Sequence, residues 1–568
     1  MHASDSAAAQ RAAVRRWMHS LSLRDRIAQM VVMPCYAEKL SLRSRAYRDY
    51  RRQIHVVHIG GLIILGRVAR GAVQPADPKT VAGFLNQMQG MAAIPLLVGA
   101  DFERGLSNRV SHSAPWPHNM AFGAARDIED VRYQAAVTAK EARAVGVQWI
   151  FAPDADVNSN PDNPIINIRS YGENPEEVSR FVRAYVEGAH SDSANPVLVT
   201  VKHFPGQGNT SVDSHLGLAR NSDSREQLEQ IDLPPFREGI AAGVDAVMAA
   251  HMAVPAMETE EIPATVSRVM LTGLLRDEMK FQGLVVTDAM DMQGLTKLFD
   301  PSEAAVRAVE AGADVLLMPR NAEETVNAVL KAVQSGRISR TRIDESVTRI
   351  LSAKARVGLQ HTRHVNLARL DRIMDSTESE ARAQSVAARA ITLVKNERAL
   401  VPLAAPESAC LTVLAESDSG SEGPHLIDEF KKRVPAMKTQ LLDPGMPAQA
   451  LDDALNALAG CAVNVAAVYS TRFDNTGAAW LRGDFPGFLT KMLAGKTPVI
   501  VLGIGIPYFA RAFSGIGTYI TTLSSAESSE TAVVRALFGE IGMSGKLPVT
   551  IPGFAAAGTG IEVPAKGK

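Results

Sequence analysis

Residues 202–215, with the sequence KHFPGQGNTSVDSH, contain the densest group of side chains able to do chemistry. Lys202 and His203 come at the end of an apolar run, and a glycine-rich stretch then leads to Asp213 and His215. An Asp two residues before a His can accept its imidazole N–H, fix the tautomer and raise the basicity of the ring. The pair is predicted to act as an acid/base unit on a loop that glycines allow to move. A merely solvated connection is the alternative interpretation.

Asp288 directly follows residues 284–287 (LVVT), an apolar and β-branched run typical of a buried strand. A carboxylate beside such a run costs desolvation energy unless the strand end opens onto a polar site. A catalytic role would explain that cost. The alternative is an ordinary cap for a helix beginning near Met290.

Two further segments offer groups that bind hydroxyls. Asp101 and Arg109 could hold paired hydroxyl groups of a sugar, or could form only a surface ion pair. Arg169 could likewise bind hydroxyls, or could tie down Glu173 in its own loop. Two carboxylates between these segments are interpreted as loop or helix-cap residues, Asp154 and Asp156.

Metal binding is the competing use of these side chains. The residues that could supply ligands are His203, His215, His251, Asp101 and Asp288. The sequence has no His-x-His after a first strand and no Glu-x-x-His on a predicted helix. It also has no phosphate-binding glycine loop and no Gly-x-Ser-x-Gly motif. We therefore predict neither a metal nor a cofactor.

The elements that position these residues recur between residues 60 and 319. Short apolar runs end abruptly in polar residues, and a helix-like stretch follows each. Such alternation indicates a parallel sheet buried on both faces, and the number of runs predicts an α/β fold of the (β/α)8 TIM-like barrel type. A doubly wound open sheet is the alternative. The runs lie at residues 61–65, 94–98, 147–151, 196–201, 245–248, 283–286 and 314–318.

A barrel fold also indicates where an active site would lie. Catalytic residues of such barrels lie at the carboxyl ends of the strands. The polar residues at the predicted strand ends include Asp101, Lys202, His203, His251 and Asp288.

The chain is predicted to divide into a catalytic barrel over residues 1–360, a linker over 361–389 and a smaller α/β sandwich domain over 390–560. The linker is inferred from a charged segment that begins near residue 361. Strand candidates of the second domain lie at residues 411–415, 462–468 and 498–503. No internal repeat relates the two parts of the sequence.

Composition narrows the classes of partner. The 568 residues include 60 basic and 61 acidic side chains, so no basic footprint for nucleic acid or an anionic membrane stands out. Cys35, Cys410 and Cys461 lie far apart in apolar runs and are interpreted as buried thiols. The sequence predicts no membrane span and no signal peptide. It therefore favours a cytoplasmic chain, or a periplasmic or secreted one if a signal was removed before residue 1.

Together these residues resemble glycoside hydrolase family 3, and within it the β-N-acetylhexosaminidase branch. The resemblance is carried first by residues 202–215 and by residues 284–292 (LVVTDAMDM). In the second domain it includes residues 390–396 (AITLVKN) and 536–552 (ALFGEIGMSGKLPVTIP), so it covers nearly the whole chain. The other matching segments lie at residues 101–109, 151–153, 169–172, 250–251, 263–267 and 312–319.

The resemblance implies a retaining exo-β-N-acetylglucosaminidase that removes terminal β-linked N-acetylglucosamine. By matching positions, Asp288 is the nucleophile, and His215 partnered by Asp213 protonates the leaving oxygen and later activates water. The positions that would hold the sugar are Asp101, Arg109, Arg169, Lys202 and His203, with His251 as a weaker candidate.

Two segments depart from the family pattern. The family loop usually reads Gly-His-Gly-Asp where this chain has Gln207 and Asn209, which bears on loop packing and on the preferred aglycone. The branch commonly shows Gln-Glu-Gly where residues 102–104 read FER. Arg104 adds a charge near the barrel mouth, which bears on the size or charge of the substrate.

Two other functions stay open. A phosphorylase of the same branch is one, because a neutral His repels phosphate less than a carboxylate does. A sugar-binding protein that has lost catalysis is the other, because Gln207 and Asn209 depart from the family loop. A plain β-glucosidase is disfavoured, since that branch takes its acid/base carboxylate from elsewhere. Peptidoglycan fragments and chitooligosaccharides are the expected natural substrates; the oligomeric state is left open.

Overall fold

The computed structural model describes residues 3–69, 72–417, 422–471 and 481–566. Eight parallel strands form its first part in the spatial order β7-β6-β5-β4-β3-β2-β1-β8. A parallel bridge between Val286 and Val315 joins the two ends of this order, so the strands form a ring. This ring confirms the predicted barrel and rules out the alternative, a doubly wound open sheet. The strands are β1 Val31–Cys35, β2 Gly61–Ile64, β3 Leu97–Ala100, β4 Trp149–Ile150, β5 Leu198–Phe204, β6 Ala246–Ala249, β7 Leu284–Thr287 and β8 Leu316–Leu317.

Helices between the strands cover the outside of the ring. One example, Pro175–Ala189, begins where Asn174 accepts hydrogen bonds from two backbone N–H groups and proline occupies the first turn. Its face with Phe181 and Tyr185 is buried against the strands. The main helices of this part are Ala3–Ser20, Leu23–Gln29, Arg45–Arg52, Pro78–Met91, Asn119–Ala125, Ile128–Val145, Pro175–Ala189, Leu233–Ala241, Val269–Glu278, Pro301–Ala311, Ala322–Gln334 and Arg340–Arg356.

The seven predicted apolar runs correspond to β2 through β8. The first strand, β1, lies before residue 60 and was not predicted from the repeating pattern. Its sequence, VVMPC, contains Pro34, a residue depleted in strands, and this weakens the strand signal. In the structure Val31 and Val32 pair with β8, so β1 completes the ring.

A six-stranded sheet forms the second part, in the spatial order β9-β14-β13-β12-β10-β11. Only β9 runs antiparallel to its neighbour. Alternate residues of the central strands enter two separate cores on the two faces of the sheet, which gives the predicted α/β sandwich. The sequence pattern does not predict β9, β11 or β14. The strands are β9 Thr392–Asn396, β10 Ala409–Leu414, β11 Lys438–Leu442, β12 Val463–Ser470, β13 Val499–Gly505 and β14 Thr518–Thr521.

Helices lie on both faces of this second sheet and between the two parts. In the segment from 361 to 389, the helix Thr377–Ala390 packs Ala383 and Val386 into the barrel core and Ala387 into the core of the second part. We keep the division at 1–360, 361–389 and 390–560 as a proposal. The helices of the second sheet are Pro424–Arg433, Ala448–Ala457, Phe485–Ala494 and Glu527–Leu537. No helix in the described ranges has both the length and the hydropathy needed to cross a bilayer.

The cysteine prediction is wrong for two of the three residues. Cys410 and Cys461 form a disulfide, with their Cα atoms 5.9 Å apart. Cys410 lies in β10 and Cys461 lies just before the neighbouring strand β12, so sheet pairing brings together residues that are 51 positions apart. Cys35 is a buried free thiol, as predicted.

Candidate active site

A cavity of about 510 Å³ opens at the carboxyl ends of the barrel strands. Seven of the eight residues predicted for the site line this cavity, and the eighth, Asp213, contacts one of them. The elements thus bring together side chains that are up to 187 positions apart, from 101 to 288. The lining residues of the predicted set are Asp101, Arg109, Arg169, Lys202, His203, His215 and Asp288.

Asp288 follows β7 and faces this cavity. Its backbone N–H donates to the carbonyl of Ala249 at 3.0 Å, and its Oδ1 accepts the N–H of Ala289 at 2.7 Å. The next helix begins only at Gln293, after Met292, so Asp288 is not its cap and that alternative is wrong.

Three histidines set the charge state of Asp288. Burial would raise the pKa of this carboxyl, but His203, His251 and His215 outweigh it and lower the pKa below its ordinary value. Asp288 is therefore ionised at neutral pH.

His215 and Asp213 form the predicted contact. The Nδ1 atom of His215 lies 2.8 Å from Oδ1 of Asp213, and the same oxygen accepts the backbone N–H of His215 at 2.8 Å. Asp213 is buried, whereas the His215 side chain is half exposed to the cavity. Burial lowers the pKa of His215, but Asp213 and then Asp288 raise it, and the net shift is upward. An imidazole fixed in this way presents Nε2 for proton transfer.

The loop that carries this pair is fastened at both sides. The buried Gln207 side chain donates to Oγ of Ser214 at 3.0 Å, and its own backbone N–H donates to Asp156 at 2.7 Å. The carbonyl of Ser214 accepts the N–H of Gly294 at 2.9 Å, just after the Asp288 segment. Gln207 therefore packs as an anchor, while Asn209 is half-buried.

Lys202 is the buried cation of the site. Its Nζ lies 2.9 Å from Oδ1 of Asp101 and 2.7 Å from Oε1 of Glu103. Burial would lower the pKa of Lys202, but Asp101 and Glu103 raise it, so the ammonium stays charged. Asp101 therefore pairs with Lys202, and the structure shows no ion pair between Asp101 and Arg109 among the described residues.

Arg169 is held by two carboxylates that the sequence interpretation did not assign to the site. Its guanidinium donates to both oxygens of Glu103, at 3.0 and 2.8 Å, and to Oδ1 of Asp154 at 3.1 Å. Glu173 instead binds Thr550, so the predicted tie between Arg169 and Glu173 is wrong. Glu103 lies two residues after Asp101 in the same strand-end segment, which is the signal that could have identified it.

Asp154 and Asp156 lie in the irregular segment after β4, as one of the two interpretations has it, and neither caps a helix; both are fully buried and hold residues of the site. Asp156 lies 2.8 Å from Nδ1 of His203. Burial raises the pKa of Asp154, although Arg169 opposes the shift. Asp154, Asp156 and His203 place three ligand-type atoms within 4.8 Å, but Arg169 already lies against Asp154 and His203. A cation there would have to compete with the guanidinium, so these residues do not fit a metal.

His251, the weaker candidate, lies behind the cavity wall. It is fully buried, with Nδ1 2.8 Å from Oγ1 of Thr265 and Nε2 2.9 Å from the carbonyl of Ala289. Burial lowers the pKa of His251. Its contact with Ala289 supports the backbone group that binds Asp288.

Similarity to known proteins identifies the family. The model of the glycosyl hydrolase family 3 N terminal domain matches residues 22–353. The chain belongs to glycosyl hydrolase family 3. The resemblance inferred from the motifs is confirmed at the level of the family.

Curated family 3 relatives match a large part of the chain. It is 33% identical over 356 residues to a β-N-acetylglucosaminidase/β-glucosidase of Cellulomonas fimi, covering 61% of each protein. It is 32% identical over 367 residues to β-hexosaminidase A of Pseudoalteromonas piscicida, covering 60% of each. The match thus spans about three fifths of the length of these curated relatives.

Solved structures match both parts of the chain. The chain is 31% identical to a family 3 β-N-acetylglucosaminidase from Paenibacillus sp. str. FPU-7, with a TM-score of 0.82 over 94% of this chain and 99% of that one. It is 25% identical to a β-glucoside phosphorylase, BglX, bound to 2FGlc, with a TM-score of 0.85 over 96% and 97%. The two-domain fold is therefore shared with proteins named as hydrolase and as phosphorylase.

Proposed function

We propose that this family 3 chain is a retaining exo-β-N-acetylglucosaminidase. The observation that carries the proposal is that Asp288 and the hydrogen-bonded His215–Asp213 pair meet at one cavity. A carboxylate nucleophile and a group that donates and then accepts a proton are what a two-step displacement requires. The names of the relatives in Cellulomonas fimi and Paenibacillus support N-acetylglucosamine as the sugar.

In the first step the Asp288 carboxylate attacks the anomeric carbon, and the bond to the leaving oxygen breaks. The attack needs the ionised carboxylate, which the neighbouring histidines favour by lowering its pKa. The product of this step is a covalent glycosyl-enzyme.

His215 supplies the proton for that departure. Its raised pKa keeps more of the imidazolium form near neutral pH, so Nε2 can protonate the leaving oxygen. After departure the neutral imidazole accepts a proton from water, which attacks the anomeric carbon and releases the sugar with retained configuration. Asp213 orients the ring through both steps by its contact with Nδ1.

The charged groups across the cavity are proposed to hold the ring. Ion pairs fix the orientation of Asp101, Lys202 and Arg169 before the substrate arrives, which lowers the entropy cost of binding. Lys202 and Arg169 offer hydrogen-bond donors, and Asp101 offers an acceptor. A sugar hydroxyl can therefore either accept or donate a hydrogen bond here. The residues proposed to bind the sugar are Asp101, Arg109, Arg169, Lys202 and His203.

A phosphorylase of the same family is the second candidate. The acid/base residue is an imidazole, which does not repel a phosphate nucleophile as a carboxylate would. The structural match to a β-glucoside phosphorylase supports considering it. Phosphate would then resolve the glycosyl-enzyme and give a sugar 1-phosphate.

Product analysis on N-acetylglucosamine-containing disaccharides from peptidoglycan and chitin tests these alternatives. We expect free N-acetylglucosamine, with a rate that added phosphate leaves unchanged. A sugar 1-phosphate formed only with phosphate would favour the phosphorylase. Binding without turnover would favour a sugar-binding protein. We also expect an aryl β-N-acetylglucosaminide to be cleaved well above the aryl β-glucoside; equal rates would contradict the assigned sugar.

A further inference from the structure

A second cavity of about 510 Å³ adjoins the proposed sugar site. It lies between the barrel and the second domain, with Arg104 and His118 on the barrel wall and Tyr469 and Glu530 on the other wall. Five residues line both cavities, so the two cavities lie side by side. The shared lining residues are Glu103, Asn108, Arg109, Ile165 and Arg169.

Strand order places this second cavity on the side of the barrel mouth away from the reaction. Arg104 and Arg109 follow β3, whereas Asp288 follows β7, the strand opposite β3 in a ring of eight. The His215 loop also packs beside β7, through the bond between Ser214 and Gly294. With the anomeric carbon at Asp288, any group that enters the second cavity belongs to the non-reducing side of the sugar.

The barrel wall of this cavity carries two guanidinium groups without an ion pair in the described part of the chain, because the carboxylate near Arg104, Glu103, is paired with Arg169 and Lys202. Arg104 forms no ion pair and no hydrogen bond within the part of the chain that the structure describes. Arg109 there donates only to the backbone carbonyl of Asn108, at 3.5 Å, and its buried Nε has no partner. Burial and the neighbouring Arg109 lower the pKa of Arg104 to about 10, so the Arg104 guanidinium is charged at neutral pH. Such a pair is stable only with a counter-ion or water.

Residues on the opposite wall do not supply that counter-ion. Glu530 accepts the hydroxyl of Tyr469 at 2.7 Å, and burial raises its pKa to about 7. Neither Glu530 nor Glu422, on the same wall, forms an ion pair with Arg104 among the described residues. This wall offers oxygen acceptors for hydroxyl or amide groups of a ligand. The barrel wall, with its two guanidinium groups, offers donors for an anion.

We propose that Arg104 and Arg109 bind an anionic oxygen group on the non-reducing-end sugar, namely a carboxylate or a phosphate or sulfate ester. This inference rests on the proposed function, because Asp288 fixes which end of the sugar faces the second cavity. Guanidinium groups bind such anions with paired, charge-assisted hydrogen bonds.

Equilibrium binding of free sugars tests the inference without requiring turnover. N-acetylglucosamine, its 6-phosphate, its 6-sulfate and N-acetylmuramic acid are titrated by calorimetry into the wild type, Arg104→Met and the control Arg268→Met. Arg268 is exposed. For at least one anionic sugar, Arg104→Met should weaken binding by about 10- to 100-fold, as expected for lost hydrogen bonds to a charged group. Binding of N-acetylglucosamine should change by less than about threefold, and Arg268→Met should change neither.

The three anionic sugars distinguish a carboxylate from a phosphate and a sulfate. A loss below tenfold for all three, or an equal loss for N-acetylglucosamine, would overturn the inference. Arg104→Gln serves the same comparison if Arg104→Met does not fold. If the aryl β-N-acetylglucosaminide is not cleaved while the Arg104 effect is observed, the proposed function fails and the anion site remains.

Discussion

Asp213 holds His215 through one oxygen, which contacts both the imidazole Nδ1 and the backbone N–H at 2.8 Å. Two bonds from a buried carboxylate fix both the tautomer and the direction of the ring. The same carboxylate raises the pKa of His215 against the effect of burial. At the scale of single residues, then, the proposed acid/base function depends on the pair.

Replacing Asp213 tests this pairing through the pH profile. A general acid must be protonated, so activity on an unactivated glycoside falls as the pH rises through the pKa of His215. Asp213→Asn removes a group that raises this pKa, so the alkaline fall of kcat/KM should move to lower pH. Asp428→Asn, at an exposed position, is the control and should leave the profile unchanged. An alkaline limb that stays in place in Asp213→Asn would contradict the pairing.

Replacing His215 tests its role as the proton donor. His215→Ala should lower kcat/KM for an unactivated glycoside by about 10²- to 10⁴-fold, typical of general acid/base loss. A dinitrophenyl leaving group needs no proton to depart, so the first step on that substrate should be nearly normal, as measured by a stopped-flow burst. A loss of the burst rate on the dinitrophenyl substrate as large as the loss of kcat/KM on the unactivated glycoside would point to a structural role instead.

At the scale of elements, the 206–217 loop and the strand ends assemble the site. Gln207 anchors the loop to Asp156 and, within the loop, bonds to Ser214, whose carbonyl accepts the N–H of Gly294. The glycine-rich sequence suggested a loop able to swing, whereas the structure shows it fastened. The anchor is invisible in the sequence, because Asp156 lies 51 positions away on the next strand end.

The strand ends account for most of what could be predicted. Asp101, Lys202 and Asp288 follow apolar runs that the barrel pattern identifies, so their convergence follows from the fold. Glu103 and Asp154 were missed because their role depends on Arg169, whose loop packing no local pattern specifies. Likewise, strand β1 has a proline in its short run, and the disulfide joins residues of neighbouring strands far apart in sequence.

Substitutions in the loop compare its anchor with its half-buried neighbour. Gln207→Ala removes the hydrogen bond to Ser214 and leaves a space where the Gln207 side chain packed. The loop is then less well fixed, and His215 with it. We expect kcat/KM to fall by about 10-fold, since small displacements of catalytic groups are costly. The control Asn209→Ala should change kcat/KM by less than about twofold. Equal effects of the two substitutions would show that Gln207 does not position the loop.

At the scale of the whole molecule, the second domain supports the loop that carries Arg169. The hydroxyl of Tyr508 accepts the side-chain N–H of Asn158 at 2.8 Å, and Asn158 in turn accepts the backbone N–H of Asn167 at 2.9 Å. Arg511 pairs with Asp162 in the same loop. The second domain therefore supports the segment that positions Arg169.

Removing the Tyr508 hydroxyl tests this support. Tyr508→Phe leaves the buried Asn158 amide without its partner, so the free energy of unfolding should fall by about 1–3 kcal/mol. Because the loop positions Arg169, KM should rise by about 3- to 10-fold. Tyr519→Phe removes a buried hydroxyl that donates within the second domain, so it should lower stability in urea with KM unchanged. A rise in KM for both variants, or for neither, would contradict a specific support of the loop.

The most direct test of the whole account is to trap the glycosyl-enzyme. The protein is incubated with a slow fluorinated N-acetylglucosaminyl donor, quenched with acid, digested and mapped by mass spectrometry. The account predicts one N-acetylglucosaminyl adduct on Asp288, together with loss of both adduct and turnover in Asp288→Asn. An adduct on another residue, or normal turnover in Asp288→Asn, would contradict it.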